Sequence, residues 1–260
     1  MPFPHIRGLI LDMDGVLWRD HEPIGNLPAI FDQIQQRGLR VILATNNATR
    51  TVASYLEKLA GFGVHLAPWQ IITSSQATAQ HLRHLHPEGG TVFVVGENGL
   101  LEALHEQGFT HSREQAHTVI AGMDRQLTYE KLAHAALLIR AGAAFIGTNP
   151  DRSFPTPAGL VPGAGAILAL LETATDIAPT IVGKPGPIMY QQALERLGTA
   201  PSETLAVGDR LETDILGGQN THCKTALVLS GVSTLAQAQA WNPLPDLIAQ
   251  DLTTVLEQIQ

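Results

Sequence analysis

Residues 9–17 read Leu9-Ile10-Leu11-Asp12-Met13-Asp14-Gly15-Val16-Leu17, a short apolar run that ends on two aspartates and a glycine. A continuous apolar run of this length fits a strand buried on both faces, as in a parallel sheet. In open parallel α/β sheets, ligands sit beyond the carboxyl ends of the strands. Asp12 and Asp14 therefore stand where such a site forms, and Gly15 permits a sharp turn just behind them.

The same arrangement recurs further along. A run over 40–44 leads into Thr45-Asn46-Asn47, and a run near residue 180 leads into Gly183-Lys184-Pro185. A run over 204–207 leads into Gly208-Asp209-Arg210-Leu211-Glu212-Thr213-Asp214. Further strands are expected over 71–73, 91–95, 118–121, 144–147 and 225–229, alternating with helical patterns such as 28–37, 51–60, 129–141 and 187–197. Apolar strands alternating with helices predict an α/β fold whose parallel sheet is covered on both faces. Taken singly, each strand end has a bland reading. An Asp-x-Asp is usually a turn or cap, a Thr-Asn-Asn an N-cap, and a lone lysine a solvated side chain. Four such ends in this order point to one site.

Composition limits what that site serves. The 260 residues are 44% hydrophobic and carry a formal net charge of −8, with no cluster of lysine or arginine. That excludes the basic footprint of a nucleic-acid binder. The lone cysteine, Cys223, has no internal disulfide partner and fits a reducing compartment. No signal peptide or bilayer-spanning run is present, so a soluble, cytoplasmic protein is expected.

The residue set fits phosphoryl chemistry. A phosphate monoester is a dianion, so an attacking carboxylate works against like-charge repulsion. A Mg²⁺ ion offsets that repulsion and prefers hard oxygen ligands. Asp12 and Asp209 can offer carboxylate oxygens to it, and Asp14 a backbone carbonyl. Lys184 would place a positive charge against the phosphoryl oxygens. The Thr45 hydroxyl, with the N–H groups around Asn46, would hold another of them. The Asp14 carboxyl can donate a proton to the leaving group and later accept one from water.

These motifs together resemble the haloacid dehalogenase superfamily, and within it the p-nitrophenyl phosphatase-like group. The resemblance runs from residue 8 to about 231. It implies Asp12 as nucleophile, Asp14 as acid/base, Thr45 on the transferring phosphoryl group, Asp209 on magnesium, and Asp214 supporting the site from behind. It also implies a Rossmann-like core, residues 1–77 and 181–260, interrupted by an α/β cap of the C2 type over 78–180. Members of the group often pair through their caps, which implies a possible homodimer. Thr148-Asn149-Pro150-Asp151 resembles a cap segment that faces the substrate; turn chemistry explains it equally well. The expected reaction is hydrolysis of a small phosphorylated metabolite through an aspartyl-phosphate.

Other features carry less. Gly163-Ala164-Gly165 lacks the third glycine of a dinucleotide fingerprint. His81, His84 and His86 are spaced wrongly for a tetrahedral metal set, and Trp18 either lines the pocket or anchors it. Among rival functions, a receiver domain lacks a second Asp two residues after its acceptor, and a dehalogenase needs neither Asp14 nor metal. A phosphomutase or phosphotransferase would share the first step.

Overall fold

All four residues of the strand Gly8–Leu11 are buried, and the strand lies inside a six-stranded sheet. The computed structural model describes residues 3, 5–156 and 159–259. Across the sheet the order is Leu247–Ala249, Lys224–Val228, Thr204–Gly208, Gly8–Leu11, Arg40–Thr45 and Ile71–Thr73. The pairings among the first five of these strands are parallel. Leu11 stands level with both Val207 and Leu43, so neighbouring strands end together. That register places Asp12, Thr45 and Asp209 along one edge.

The chain folds as two compact units, one made of Met1–Thr45, Val52–Ile72 and Lys184–Gln260, the other of Asn46–Thr51 and Thr73–Gly183. The first unit holds the six-stranded sheet. Leu9, Leu11, Leu43, Leu205 and Val207 alternate along its strands into one core with Trp18 and Tyr55. The helix Leu27–Gln36 adds Leu27, Ile30 and Ile34 at helical spacing. Asn26 caps that helix by accepting from the Ala29 N–H at 3.2 Å, and a proline opens its first turn.

The inserted unit has its own five-stranded parallel sheet. Its order is Thr180–Ile181, Ala144–Gly147, Thr118–Ala121, Gly90–Val95 and Phe109–His111. Phe93, Val119, Ile139, Phe145 and Leu171 form its core. The helix Ser74–Leu85 packs on Asn98–Glu106 within this unit, and the chain crosses into it at Ile72–Thr73, a few residues before the expected boundary at 77–78. An antiparallel hairpin, Ser153–Thr156 with Gly159–Pro162, completes it. No helix among the described residues is long and apolar enough to cross a membrane.

The α/β class and all nine expected strands are present. The strands Phe109–His111 and Leu247–Ala249 were not expected; both are three-residue edge strands, and the first has no apolar run. The pattern also hid a π-helical turn, Leu211–Ile215, where a plain helix start was expected. Leu205 is fully buried in a strand paired on both sides. Leu205→Ala should lower stability by about 2–5 kcal/mol, the cost of a core cavity, measured by denaturant unfolding; a loss below about 0.5 kcal/mol would contradict this packing.

Candidate active site

The strand Gly8–Leu11 delivers Asp12 to the sheet's carboxyl edge, where the Asp12 N–H donates to the Val207 carbonyl at 2.9 Å. Lys184 reaches the same point. Its Nζ donates to Asp12 Oδ1 at 2.6 Å, to Asp214 Oδ1 at 2.7 Å and to the Ala44 carbonyl at 2.9 Å. With only 3% of its surface exposed, Lys184 is a buried cation held by two carboxylates. Burial alone would lower its pKa, but Asp12 and Asp214 outweigh that and hold it well above the usual lysine range.

Asp209 and Asp214 follow the strand Thr204–Gly208. The π-helical turn wraps the chain so that Asp214 points back, its Oδ2 accepting from the Arg210 N–H at 3.1 Å. Tyr190 donates to the Asp214 carbonyl at 2.8 Å. Asp209 Oδ2 accepts from the Val232 N–H at 2.7 Å, whereas Asp209 Oδ1 is buried without a hydrogen-bond partner. Asp209 sits in a cradle of two glycines, for a Cβ on either Gly15 or Gly231 would collide with its carboxylate. Gly15 also has a φ of +83°, which favours glycine.

Asp12, Asp209 and Asp214 each offer a carboxylate oxygen to one space, those oxygens lying within 4.8 Å of one another. No other such group of three exists among the described residues. Burial pushes the Asp12 carboxyl well above its ordinary pKa; Lys184 pulls it back, and Asp214 and Asp209 push it further. Burial, then Asp214, pushes Asp209 up to about 7 against the Val232 N–H. Three acid side chains face one ammonium, and one buried oxygen lacks a donor. A hard divalent cation fits that deficit in charge and in ligand type.

Asp14 is exposed, and its Oδ1 accepts from the indole Nε1–H of Trp18 at 2.8 Å. Trp18 is fully buried, stacked on Tyr55 at 6.5 Å and beside Phe62 at 6.0 Å, with Lys58 Nζ 4.0 Å from the ring centre. Its role is therefore to anchor: it carries the Asp14 carboxylate on a packed ring. Thr45 ends its strand, buried to 3% exposure. Asn46 belongs to the inserted unit, where its Nδ2 donates to Asp151 Oδ2 at 2.8 Å.

Sequence reading missed the turn Ser230-Gly231-Val232-Ser233. Besides the Val232 contact, the Ser233 N–H donates to the Asp209 carbonyl at 3.0 Å. Ser230 Oγ donates to the Gly15 carbonyl at 2.7 Å, and Arg19 Nε to the Ser230 carbonyl at 2.7 Å. The signal was present, since this turn also follows an apolar strand. His81, His84 and His86 form no metal group; the His86 ring packs on His117 at 4.2 Å instead.

The haloacid dehalogenase-like hydrolase model matches residues 9–110, and a second model of HAD-hydrolase type matches residues 181–255. The chain is 40% identical over 227 residues to the 5'-nucleotidase YutF of Bacillus subtilis, covering 87% of this chain and 88% of that one. It is 37% identical over 255 residues to an acid sugar phosphatase of Staphylococcus aureus, covering 98% of each. The p-nitrophenyl phosphatase from Archaeoglobus fulgidus superposes with a TM-score of 0.93 at 31% identity, over 98% of this chain and 100% of that one. With its strand-end acids, buried lysine and interrupted sheet, the chain belongs to the haloacid dehalogenase-like hydrolases, in their p-nitrophenyl phosphatase-like group of phosphoric monoester hydrolases.

Proposed function

We propose that this chain is a Mg²⁺-dependent phosphatase that hydrolyses small phosphomonoesters through an aspartyl-phosphate on Asp12. The observation that carries this reading is the acid cluster beside Lys184: three carboxyl groups against one ammonium, and an undonated Asp209 oxygen. Bound through Asp12, Asp209 and the Asp14 carbonyl, with Asp214 behind them, Mg²⁺ would supply positive charge against the phosphoryl oxygens.

The chain's own residues do the rest. Lys184 occupies Asp12 Oδ1 and leaves Oδ2 to attack phosphorus. As the Asp12 oxygen–phosphorus bond forms, the phosphorus–ester oxygen bond breaks, and Asp14 gives its proton to the departing alkoxide. Trp18 keeps the Asp14 carboxyl at that position through its indole N–H. Asp14 then takes a proton from a water, whose oxygen attacks phosphorus and releases Asp12 and inorganic phosphate. Thr45 and the N–H groups beside Asn46 hold phosphoryl oxygens throughout, while Lys184 sets its positive charge against them. The inserted unit acts as the cap that selects the ester group. The names of the relatives, a nucleotidase, a sugar phosphatase and a p-nitrophenyl phosphatase, support small phosphorylated metabolites as the substrate class.

Asp12→Asn should cut turnover of p-nitrophenyl phosphate by about three orders of magnitude or more, followed as p-nitrophenol release. Chelation should abolish turnover reversibly, with added Mg²⁺ restoring it; activity surviving either change rules the mechanism out. Asp14→Asn should lower kcat by roughly 10²–10⁴-fold while phosphate still binds, as read by calorimetry, and an unchanged kcat would refute its proton-transfer role. Gly231→Ala crowds the Asp209 carboxylate, so the Mg²⁺ concentration for half-maximal activity should rise about tenfold or more; an unchanged Mg²⁺ titration would mean that Asp209 does not hold the ion.

A further inference from the structure

The chain passes between the two units at Thr45–Asn46, Thr51–Val52, Ile72–Thr73 and Gly183–Lys184. Two of these junctions abut the residues assigned to the phosphoryl oxygens. Thr45 is the last residue of the catalytic unit at one crossing, and Lys184 is the first at another.

On the inserted side, the residues next to them are tied together. Asp151 Oδ2 accepts from Asn46 Nδ2 at 2.8 Å and from Asn149 Nδ2 at 2.6 Å. Asn149 Oδ1 accepts from Thr148 Oγ1 at 2.8 Å, and the Thr148 carbonyl accepts from the Gly183 N–H at 2.9 Å. Ser74 Oγ donates to the Asn46 carbonyl at 2.7 Å. A Cβ on Gly183 would lie 2.7 Å from Asn46 Oδ1 and would collide with the Thr148 carbonyl. The Asp151 carbonyl accepts from the Gly165 N–H at 2.8 Å, which seats the cluster on the helix Ala164–Thr175. Thr148 and Asn149 are buried, so these bonds are made in a medium that strengthens them. One carboxylate that receives two amide donors is the charge-assisted centre of the network.

We infer that Asp151 is a positioning residue for phosphate binding: through Asn46 on one side and Asn149, Thr148 and Gly183 on the other, it fixes the spacing of Thr45 and Lys184. Inside the catalytic unit, the Lys184 bond to the Ala44 carbonyl closes the same loop from the other end. The inference rests on the phosphatase reading for the roles of Thr45 and Lys184. It assigns Asp151 to neither substrate contact nor a mere turn. Asp14 and Asp209 lie outside the clamped junctions, and Asp12 and Asp214 meet the clamp only through Lys184, so its first effect falls on phosphate affinity. It also accounts for Gly163 and Gly165, at which a Cβ would collide with the Asp151 and Pro150 carbonyls respectively.

The test compares the unaltered protein with Asp151→Ala and Asp151→Asn. It measures KM and kcat for p-nitrophenyl phosphate, the inhibition constant of inorganic phosphate, and hydrogen exchange of peptides covering 44–49 and 181–186. Asp151→Ala should raise KM and the inhibition constant together by about tenfold, the scale of one charge-assisted hydrogen bond, with kcat falling by less than that factor. Exchange should quicken in both peptides. Asp151→Asn, whose amide oxygen still accepts, should fall between the two. Unchanged binding constants, or a fall in kcat alone, would overturn the clamp. If the unaltered protein released no phosphate, the proposed function would fail, while the exchange data would still decide the clamp: quickening in both peptides supports it and unchanged exchange sinks it. Should Asp151→Ala not fold, Asp151→Asn and Thr148→Val carry the same measurements.

Discussion

At the carboxyl edge of the main sheet two carboxyl groups share one buried ammonium with a third, Asp209, close beside them, and much of the structure follows from holding that arrangement together. Burying charge costs several kcal/mol per ion unless geometry returns it. Like-charge pressure would spread Asp12, Asp209 and Asp214 apart if their backbones could move. They cannot move far, because Asp12 and Asp209 leave adjacent parallel strands in fixed register, and Asp214 is turned back by a π-helical turn. The core beneath, built on Leu9, Leu11, Leu205 and Val207, serves as the rigid floor on which this repulsion is stored. A site of this kind suits a divalent cation, whose charge would offset that repulsion.

Close approach is the second requirement, and glycine meets it. The Asp209 carboxylate lies against Gly15 and Gly231, so the nucleophile loop and the turn after Val228 press on it from two sides. The two walls are joined by the bond from Ser230 Oγ to the Gly15 carbonyl, and Arg19 ties in the same turn. Asp14 is treated differently. Its carboxylate is exposed and held by one indole N–H, which suits the proton transfer proposed for it. On that reading, buried acids serve charge and an exposed acid serves protons within a few residues.

Much of this was legible in the amino-acid order. Strand ends can be read because a buried parallel strand must be apolar throughout, so the first polar residue after it announces the edge. Asp12, Thr45 and Asp209 were read that way. So was Lys184, but the strand before it, Thr180–Ile181, belongs to the inserted unit's sheet and is not buried. Lys184 reaches the edge only after the chain crosses back. The same rule applies to Ser230, which was overlooked because a serine and a glycine look like an ordinary turn and act here through backbone groups. Backbone donors such as the Val232 N–H leave no trace in residue type. Trp18 stayed ambiguous because its indole has an apolar body and a polar edge, and only the geometry shows the edge on Asp14. Short edge strands escaped because they span only three residues. The pairing of Asn46 with Asp151 spans more than a hundred positions, beyond any local pattern.

That long-range pair bears on how an inserted unit can matter to a site whose reacting groups it does not contain. Asp12, Asp14, Asp209 and Asp214 all belong to the catalytic unit, so the geometry proposed for bond making and proton transfer is internal to one rigid body. Thr45 and Lys184 belong to it too, yet each is bonded through the backbone to a residue of the inserted unit. The clamp inferred for Asp151 acts on the site through these two residues, and on Asp12 and Asp214 only through Lys184. Hydrogen-bonded networks of this kind rigidify what they join. On the proposed reading, the inserted unit can then alter the ester accepted while the residues proposed for the chemistry stay in register on the sheet that carries them.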